Sequence, residues 1–430
     1  MDIKIKQKIK LIAVISAEFL AVVIILLLIF LAGKKSYTVT FDLNGGTLLG
    51  GDLEQRVTQG HSATPPAAAK EGYYLLRWSG SYNNVSRDIT VRAIWEYETS
   101  YGIEYNAEET WTYAEISGCF KDLTGDVYLG AYYDNKIILT VSEGAFADCK
   151  RIKSIRMLDG IVTIQDRAFE NCTSMEVIDI PGTTLSIGDY ALSGCTELTE
   201  IVLPTGLETI GEGAFKNCSS LKTVFIPKTV KEIGVGAFEG CTSLETVVFA
   251  DGIEYIGDRA FAGCSSLEVV ILSDYIEQIG DYAFVGCTSL EEIELPKSLE
   301  KISDGAFSYC TSLKEIVIPE SVVIIESNAF EVCESLERVV LHEGVEHIGA
   351  RAFYDAGNLK EIYLPTTILN VGNEAFVTDG LVVYVPTDEN GTPVFVLPLG
   401  SYGSGVVIDF YDPMADDSVT DTDEIPEDNE

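Results

Sequence analysis

A cysteine that returns every 23 residues is the feature that most limits how this chain can fold. It occupies positions Cys149, Cys172, Cys195, Cys218, Cys241, Cys264, Cys287, Cys310 and Cys333. A phenylalanine stands three residues before each cysteine, except where Leu192 replaces it, and Phe353 and Phe376 continue the series. The constant period predicts eleven repeats between residues 138 and 385. A period of this length is typical of solenoids, in which each repeat is one coil that its neighbours stabilise.

Each repeat contains one segment with the pattern of a strand. In residues 233–256, Val247 and Phe249 face inward and alternate with a residue that we expect to point outward. Proline, which lacks a backbone donor, closes this segment at Pro181, Pro204, Pro227, Pro296, Pro319 and Pro365. We expect the remainder of each repeat to form a short helical turn, so that the coils stack through short parallel strands.

The repeated order Ala-Phe-x-x-Cys-x-x-Leu closely resembles the BspA-like leucine-rich repeats of bacterial surface proteins. The resemblance covers more than half of the chain, and it implies a leucine-rich-repeat solenoid with a role in adhesion. The copies depart from the pattern at both ends: Ala356 replaces the cysteine, Val377 follows the last phenylalanine, and the first strand carries Lys153 and Arg156. Atypical terminal repeats are expected because the end coils act as caps.

The N-terminal residues predict a membrane anchor. Residues 11–33 are almost entirely apolar and are long enough to cross a bilayer core of about 30 Å as a transmembrane helix. The basic segment at residues 1–10 predicts a cytoplasmic N-terminus and an extracellular solenoid on a single-pass anchor. A cleaved signal peptide is the alternative, because Glu18 interrupts the apolar run.

The charge of the chain is strongly acidic, with a net value of −38. An acidic surface repels phosphate backbones, so we expect no nucleic-acid partner. Residues 412–430 are acidic and short of apolar side chains, and they predict a disordered tail.

Residues 36–97 predict a separate small β domain. Alternating residues from Tyr37 lead to an Asn44-Gly45 turn, which favours a hairpin. The Phe-x-x-Asn-Gly-Gly, Gly-Tyr and Ala-x-Trp landmarks of this segment resemble the InlB B-repeat, also called the Listeria-Bacteroides repeat. This resemblance implies a β-grasp-like module that serves as a spacer or in adhesion.

Two further segments flank the repeats. Residues 98–137 contain several aromatic residues with strand patterns, and we expect them to form an N-terminal cap or connector. Residues 386–411 predict a C-terminal cap, in which closing strands lie on either side of an Asn390-Gly391 turn.

The periodic cysteines permit three interpretations. Neighbouring coils would bring them close enough for disulfides, but nine cysteines cannot all pair along one column. A zinc site needs ligands that converge on one point, whereas these cysteines would form a line. A column of buried thiols that pack as small apolar side chains is the favoured interpretation.

The outward residue of each strand predicts a binding surface. Along the stack these residues are Val202, Phe225, Val248, Ile271, Val317, Val340 and Tyr363, with Glu294 as the one charged member. An exposed apolar stripe of this length often marks a partner surface. The alternative is that β-branched and aromatic residues are simply preferred in strands.

The sequence contains no nucleophile elbow, phosphate-binding loop, dinucleotide fingerprint or zinc motif. We therefore expect no catalytic residue, no metal and no cofactor, and an enzyme is the least favoured class. The primary hypothesis is a membrane-anchored cell-surface binding protein, such as an adhesin, whose partner is a protein or glycan of a host or neighbouring cell. The alternative is a structural or scaffolding protein of the envelope without a foreign ligand.

Overall fold

The computed structural model describes residues 35–70, 73–97 and 102–413, which belong to two compact units divided between residues 99 and 100. Every regular element in these residues is a β-strand. Within them no helix is long and apolar enough to cross a membrane. The predicted span at 11–33, the basic segment before it and the acidic tail from residue 414 onward lie outside the described residues.

The first unit contains six strands: β1 (Ser36–Asp42), β2 (Thr47–Gly50), β3 (Glu54–Thr58), β4 (Ala67–Ala69), β5 (Tyr73–Trp78) and β6 (Ile89–Tyr97). Four of them form a mixed sheet in the order β3-β1-β6-β5, in which β1 is antiparallel to β3 and parallel to β6. Val39 and Phe41 on β1 are buried, as are Val91 and Ala93 on β6. The two central strands therefore supply much of the core of this unit.

The hairpin predicted at Asn44-Gly45 is wrong. The turn itself forms, because Gly46 N–H donates to the carbonyl of Leu43 at 2.9 Å. The strand after the turn, β2, pairs with β4, whereas β1 pairs with β3 and β6. A local turn motif favours pairing of adjacent strands, but the burial of Phe41 between its sheet neighbours decides the partners of β1. The B-repeat assignment stays a prediction.

The second unit contains twenty-seven strands. In chain order they are β7 (Ile103–Asn106), β8 (Tyr113–Cys119), β9 (Gly125–Leu129), β10 (Tyr132–Tyr133), β11 (Lys136–Val141), β12 (Ile152–Met157), β13 (Thr163–Ile164), β14 (Val177–Asp179), β15 (Ser186–Ile187), β16 (Thr209–Ile210), β17 (Thr223–Ile226), β18 (Glu232–Ile233), β19 (Thr246–Phe249), β20 (Tyr255–Ile256), β21 (Val269–Ile271), β22 (Gln278–Ile279), β23 (Lys301–Ile302), β24 (Glu315–Ile318), β25 (Ile324–Ile325), β26 (Arg338–Leu341), β27 (His347–Ile348), β28 (Phe353–Tyr354), β29 (Glu361–Tyr363), β30 (Asn370–Val371), β31 (Phe376–Val377), β32 (Val382–Pro386) and β33 (Val407–Tyr411).

Most of these strands lie in two rows of parallel strands. The short-strand row consists of one sheet with β8, β11, β13, β15, β16, β18, β20 and β22 and a second sheet with β23, β25, β27 and β30. The long-strand row consists of four sheets, which contain β9, β12 and β14, then β17, β19 and β21, then β24 and β26, and finally β29, β32 and β33. In the regular repeats, paired residues are 23 positions apart, as with Val224 and Val247 in the long-strand row. Equivalent side chains of successive coils therefore stack into columns.

The predicted solenoid is confirmed by this arrangement. One continuous core runs from Ala114 to Leu397. The phenylalanines of the repeat are fully buried and form a column, in which Phe215 and Phe238 have ring centroids 5.0 Å apart. Each coil covers the apolar edge of the next, which is why a repeat of this kind requires neighbours.

The short helical turns predicted for each repeat are wrong. The connecting segment is a series of reverse turns, in which Cys172 N–H donates to the Phe169 carbonyl while Phe169 N–H donates to Ala191 of the next coil. Arg167 and Asn171, on either side of Phe169, have positive φ angles of 54° and 57°. A right-handed helix cannot pass through two left-handed residues four positions apart. The bonds between coils also use donors that a helix would need.

The parallel stack extends beyond the eleven predicted repeats by a coil at each end. At the N-terminal end β8 pairs in parallel with β11, β9 pairs in parallel with β12, and β7 covers β8 as an antiparallel edge strand. At the C-terminal end β32 and β33 are parallel. The closing strands predicted on either side of Asn390-Gly391 form as β32 and β33, but they pair in parallel, and the turn itself closes only a bridge between Thr387 and Pro393.

Candidate binding surface

The outward column of the long-strand row is built by strict alternation. On β17, Val224 and Ile226 are fully buried, whereas Phe225 between them is 53% exposed. Parallel pairing in register then places Phe225 beside Val248, and Val248 beside Ile271. Within this three-stranded sheet, one outward position per coil therefore becomes a continuous line of side chains.

The structure places most of the predicted stripe at the surface. Val202, Phe225, Ile271 and Val317 are exposed, and Val202 reaches 78%. Val248 and Tyr363 are half-buried between neighbouring coils. Six of the seven predicted residues thus contribute accessible surface.

Val340 is the exception, because only 5% of its surface is exposed. It pairs with Val317, and Tyr363 is the equivalent residue of the next coil. Arg338, two residues earlier on the same side of β26, is held by an ion pair with Glu315. Along the stack its neighbours are therefore a valine and a tyrosine, and the ion-paired Arg338 lies beside it, so Val340 is covered and the predicted exposure is wrong at this position.

The longest apolar part of the column lies between Val202 and Ile271. Val269 belongs to it, because it is 44% exposed and lies two residues before Ile271 on the same side of β21. The sequence analysis missed Val269, although the same alternation would have indicated it. We call the group formed by Val202, Phe225, Val248, Val269 and Ile271 the Phe225 patch.

Acidic side chains border the Phe225 patch. Glu245 and Glu268 are exposed directly before β19 and β21, and Glu200 is exposed beside Val202. Glu294 is also exposed, and it separates the patch from Val317. The border therefore adds local negative charge to a chain whose net charge is already −38.

A group of tyrosines ends the column. The rings of Tyr363 and Tyr384 are stacked with centroids 4.4 Å apart, and Tyr411 meets Tyr363 edge-on at 5.5 Å. The hydroxyl of Tyr411 donates to the Leu364 carbonyl at 2.9 Å, and burial raises the pKa of Tyr411 to about 12. Sequence analysis missed Tyr384 and Tyr411 because they fall outside the 23-residue register.

The repeat cysteines lie behind this surface as a column of free, fully buried thiols. From Cys172 onward, each thiol donates to the carbonyl 26 residues earlier, as Cys241 does to Phe215 at 3.2 Å. Burial raises the pKa of Cys218 to about 12, so its thiol stays protonated at neutral pH. The thiols therefore pack within the core and form hydrogen bonds to backbone carbonyls.

Within the described ranges, no three His, Cys, Asp or Glu residues are grouped to hold a metal ion.

A shallow groove of about 350 Å³ opens on the short-strand row. Asp304, Glu326, His347 and Asn370 contribute to its lining. The two carboxylates are already engaged: Glu326 pairs with Lys301 at 3.1 Å and accepts the backbone N–H of Asp304, and Asp304 accepts from Asn328 at 2.9 Å. Both carboxylates that line the groove are therefore engaged within the protein, which leaves them less available to a ligand.

Three solved structures are similar to this chain. A leucine-rich repeat protein from Bacteroides ovatus is 23% identical, with 73% of this chain and 99% of that chain covered and a TM-score of 0.46. The T. pallidum leucine-rich repeat protein is 28% identical over 45% of this chain and 90% of that chain, with a TM-score of 0.42. The pneumococcal vaccine antigen PcpA is 16% identical over 73% and 98%, with a TM-score of 0.42.

No curated protein matches the chain. The family described as "BspA type Leucine rich repeat region" matches in six copies, over residues 139–268 and 254–381. These residues are more than half of the chain and coincide with the regular coils of the solenoid. The chain belongs to the BspA-type leucine-rich repeat family.

Proposed function

We propose that this chain is a cell-surface binding protein that recognises a protein partner through the Phe225 patch. The observation that carries the proposal is the exposure of Phe225, Val269 and Ile271 on one sheet face, with the exposed Val202 at the equivalent position of the preceding coil. An apolar patch of this kind is uncommon on a protein that has no partner, because contact between apolar side chains and water is unfavourable. An aromatic residue near the centre of such a patch is a typical anchor of a protein interface.

The border of the patch indicates the chemistry of the partner. Glu200, Glu245 and Glu268 would face the rim of any partner that covers Phe225. Opposite charges at a rim accelerate association and exclude partners of like charge. The expected partner therefore presents an apolar centre surrounded by lysine or arginine side chains.

The remaining features support display at a surface. In this proposal residues 11–33 anchor the chain in the membrane, the domain at 36–97 is a spacer of the B-repeat type, and the solenoid faces outward as an adhesin. Parallel strands in register hold Phe225, Val248, Val269 and Ile271 without induced ordering, since the backbone of these four residues belongs to a hydrogen-bonded sheet. A rigid surface loses little conformational entropy when it binds.

Site-specific photocrosslinking on intact cells tests the binding surface. A photoreactive phenylalanine analogue replaces Phe225 in one variant and Val235 in a matched control, since Val235 is 44% exposed but lies in the turn after β18. We expect a defined protein adduct from position 225 and none from position 235. Equal adducts at both positions, or none at 225, would contradict the proposal.

Protease treatment of the same cells tests the topology separately. Externally added protease is expected to remove the exposed solenoid epitopes from intact cells. If those epitopes survive until the cells are lysed, the proposed surface display is wrong.

A further inference from the structure

Cys119 is the one cysteine that does not follow the 23-residue period, because it precedes Cys149 by 30 residues. It is the last residue of β8, in the additional coil at the N-terminal end of the solenoid. The longer spacing nevertheless brings it to the end of the thiol column, where its Sγ lies 2.7 Å from the Sγ of Cys149. A disulfide bond is about 2.05 Å long, so the two sulfurs are close to bonding distance.

The environment of this pair differs from that of the other thiols. Each thiol from Cys172 to Cys333 donates to a backbone carbonyl, at 3.2 Å in Cys172 and 3.3 Å in Cys333. The sulfurs of Cys119 and Cys149 instead contact each other. Cys119 is 8% exposed, whereas the nine periodic cysteines have no exposed surface. A reagent from solvent therefore reaches the column first at Cys119.

We propose that Cys119 and Cys149 form a disulfide bond by exchange with a small-molecule disulfide. Attack by the accessible Cys119 sulfur on the reagent forms a mixed disulfide and releases one thiol of the reagent. The Cys149 sulfur then attacks the Cys119 sulfur, forms the internal bond and releases the second thiol. In total, two protein thiols are oxidised, one reagent disulfide is reduced to two thiols, and the two protons pass to the released thiols.

The electrostatics of the pair favour the second step. In the reduced pair the hydrogen bond between the two thiols raises the pKa of Cys119, so the first step runs through its small deprotonated fraction and is the slower one. In the mixed disulfide Cys119 no longer has a proton to donate, and the nearby ammonium group of Lys121 remains to lower the pKa of the Cys149 thiol. A thiolate is the attacking form in thiol–disulfide exchange. Cys149 is therefore suited to resolve a mixed disulfide held by Cys119.

The bond would join the end coil to the regular solenoid. It would link β8 to the turn that carries Cys149, where only noncovalent contacts otherwise hold the terminal coil. End coils have a neighbour on one side only, so they are the positions where a stacked protein opens first. The disulfide would act there as a covalent cap, while the eight cysteines from Cys172 to Cys333 would remain thiols.

Thiol counting on the reduced full-length chain tests the proposal. The protein is incubated with a mixture of oxidised and reduced glutathione, quenched with acid, denatured and alkylated without reductant. We expect eight of the ten cysteines to be alkylated, and peptide mass mapping to join Cys119 to Cys149. Ten alkylated cysteines, or a link between any other pair, would overturn the proposal.

Two variants serve as matched controls. Cys172→Ser removes a neighbouring thiol of the column and is expected to leave the link intact, with seven alkylated cysteines. Cys119→Ser is expected to show nine alkylated cysteines and no internal link. Should Cys119→Ser fail to fold, the wild-type count and the Cys172→Ser map still decide the question. An internal link in folded Cys119→Ser, or its loss in Cys172→Ser, would refute the assignment.

Discussion

The rings of Phe215 and Phe238 lie face to face, with centroids 5.0 Å apart and planes 4° from parallel. This contact recurs from coil to coil, with Phe238 and Phe261 at 5.3 Å. The column is interrupted at Leu192, which is also fully buried. Aromatic stacking is therefore a regular feature of the core, but one coil folds without it.

Phe238→Ala is expected to destabilise the solenoid by about 3–5 kcal/mol, because it leaves a cavity between two coils. Phe238→Leu should cost much less, since Leu192 occupies the equivalent place in another coil. Urea unfolding followed by circular dichroism measures both effects. Phe225→Ala is the exposed control, and an equal loss of stability in Phe225→Ala and Phe238→Ala would contradict the assigned burial.

Gly257 lies at a close approach of two coils. A Cβ atom at this position would be 2.4 Å from the Ile233 carbonyl oxygen, a backbone atom that cannot rotate away. Gly257→Ala is therefore expected to lower the free energy of unfolding by about 1–3 kcal/mol. Gly182→Ala is the matched control, because a Cβ there would meet no atom within 4 Å, and its effect should stay within about 0.5 kcal/mol. Equal effects of the two substitutions would exclude steric contact as the cause.

The buried thiols predict a dependence of stability on alkaline pH. The pKa of Cys218 is raised from about 9 to about 12, mainly by burial. Below pH 9 the Cys218 thiol is protonated in both the folded and the unfolded state. Between about pH 9 and pH 12 the unfolded state loses this proton while the folded state keeps it, so the free energy of unfolding falls as the pH rises. The contribution of one such thiol approaches about 1.4 kcal/mol per pH unit up to pH 12.

Cys218→Ala should remove this contribution, so its stability should fall less steeply between pH 9 and pH 10 than that of the wild type. Chemical unfolding at several pH values measures both slopes. Ser219→Ala changes the adjacent residue without removing a thiol, and it should retain the wild-type slope. Identical slopes for all three proteins would show that the Cys218 thiol does not titrate with a raised pKa.

Asp281 lies in a column of acidic residues, and its backbone N–H donates to the Asp258 carboxylate at 2.9 Å. Burial raises the pKa of the Asp281 carboxyl, and repulsion from Asp258 adds to the effect. Asp281→Asn should therefore stabilise the protein at pH 7, by less than about 1 kcal/mol because solvent screens the column.

The advantage of Asp281→Asn should shrink as the pH falls through the raised pKa, because the folded wild type then takes up the proton more readily than the unfolded chain. High salt should reduce it as well. Thermal unfolding at neutral and acidic pH measures the difference. Glu268→Gln, at an exposed position, is the control, and an Asp281→Asn variant less stable than the wild type at pH 7 would contradict this account.

Two predictions that rested on local sequence patterns failed, because contacts between residues distant in the chain determine the structure at those places. The hairpin expected after β1 failed because Asn44-Gly45 specifies a turn, whereas the burial of Phe41 selects β3 and β6 as partners of β1. The helical turns failed because backbone donors such as Phe169 N–H bond to the next coil. In both cases a contact remote in sequence overrode a short-range preference.

The sequence by itself determined the solenoid, its two main columns of Phe and Cys, and the outward position of Phe225. It could do so because in-register stacking brings equivalent positions of successive repeats into contact, so the 23-residue period already encodes the neighbours. Only the tertiary structure decided that Val340 is covered, that a further coil lies at each end, and that Cys119 meets Cys149. These features depend on residues outside the period, and their contacts exist only once the chain has folded.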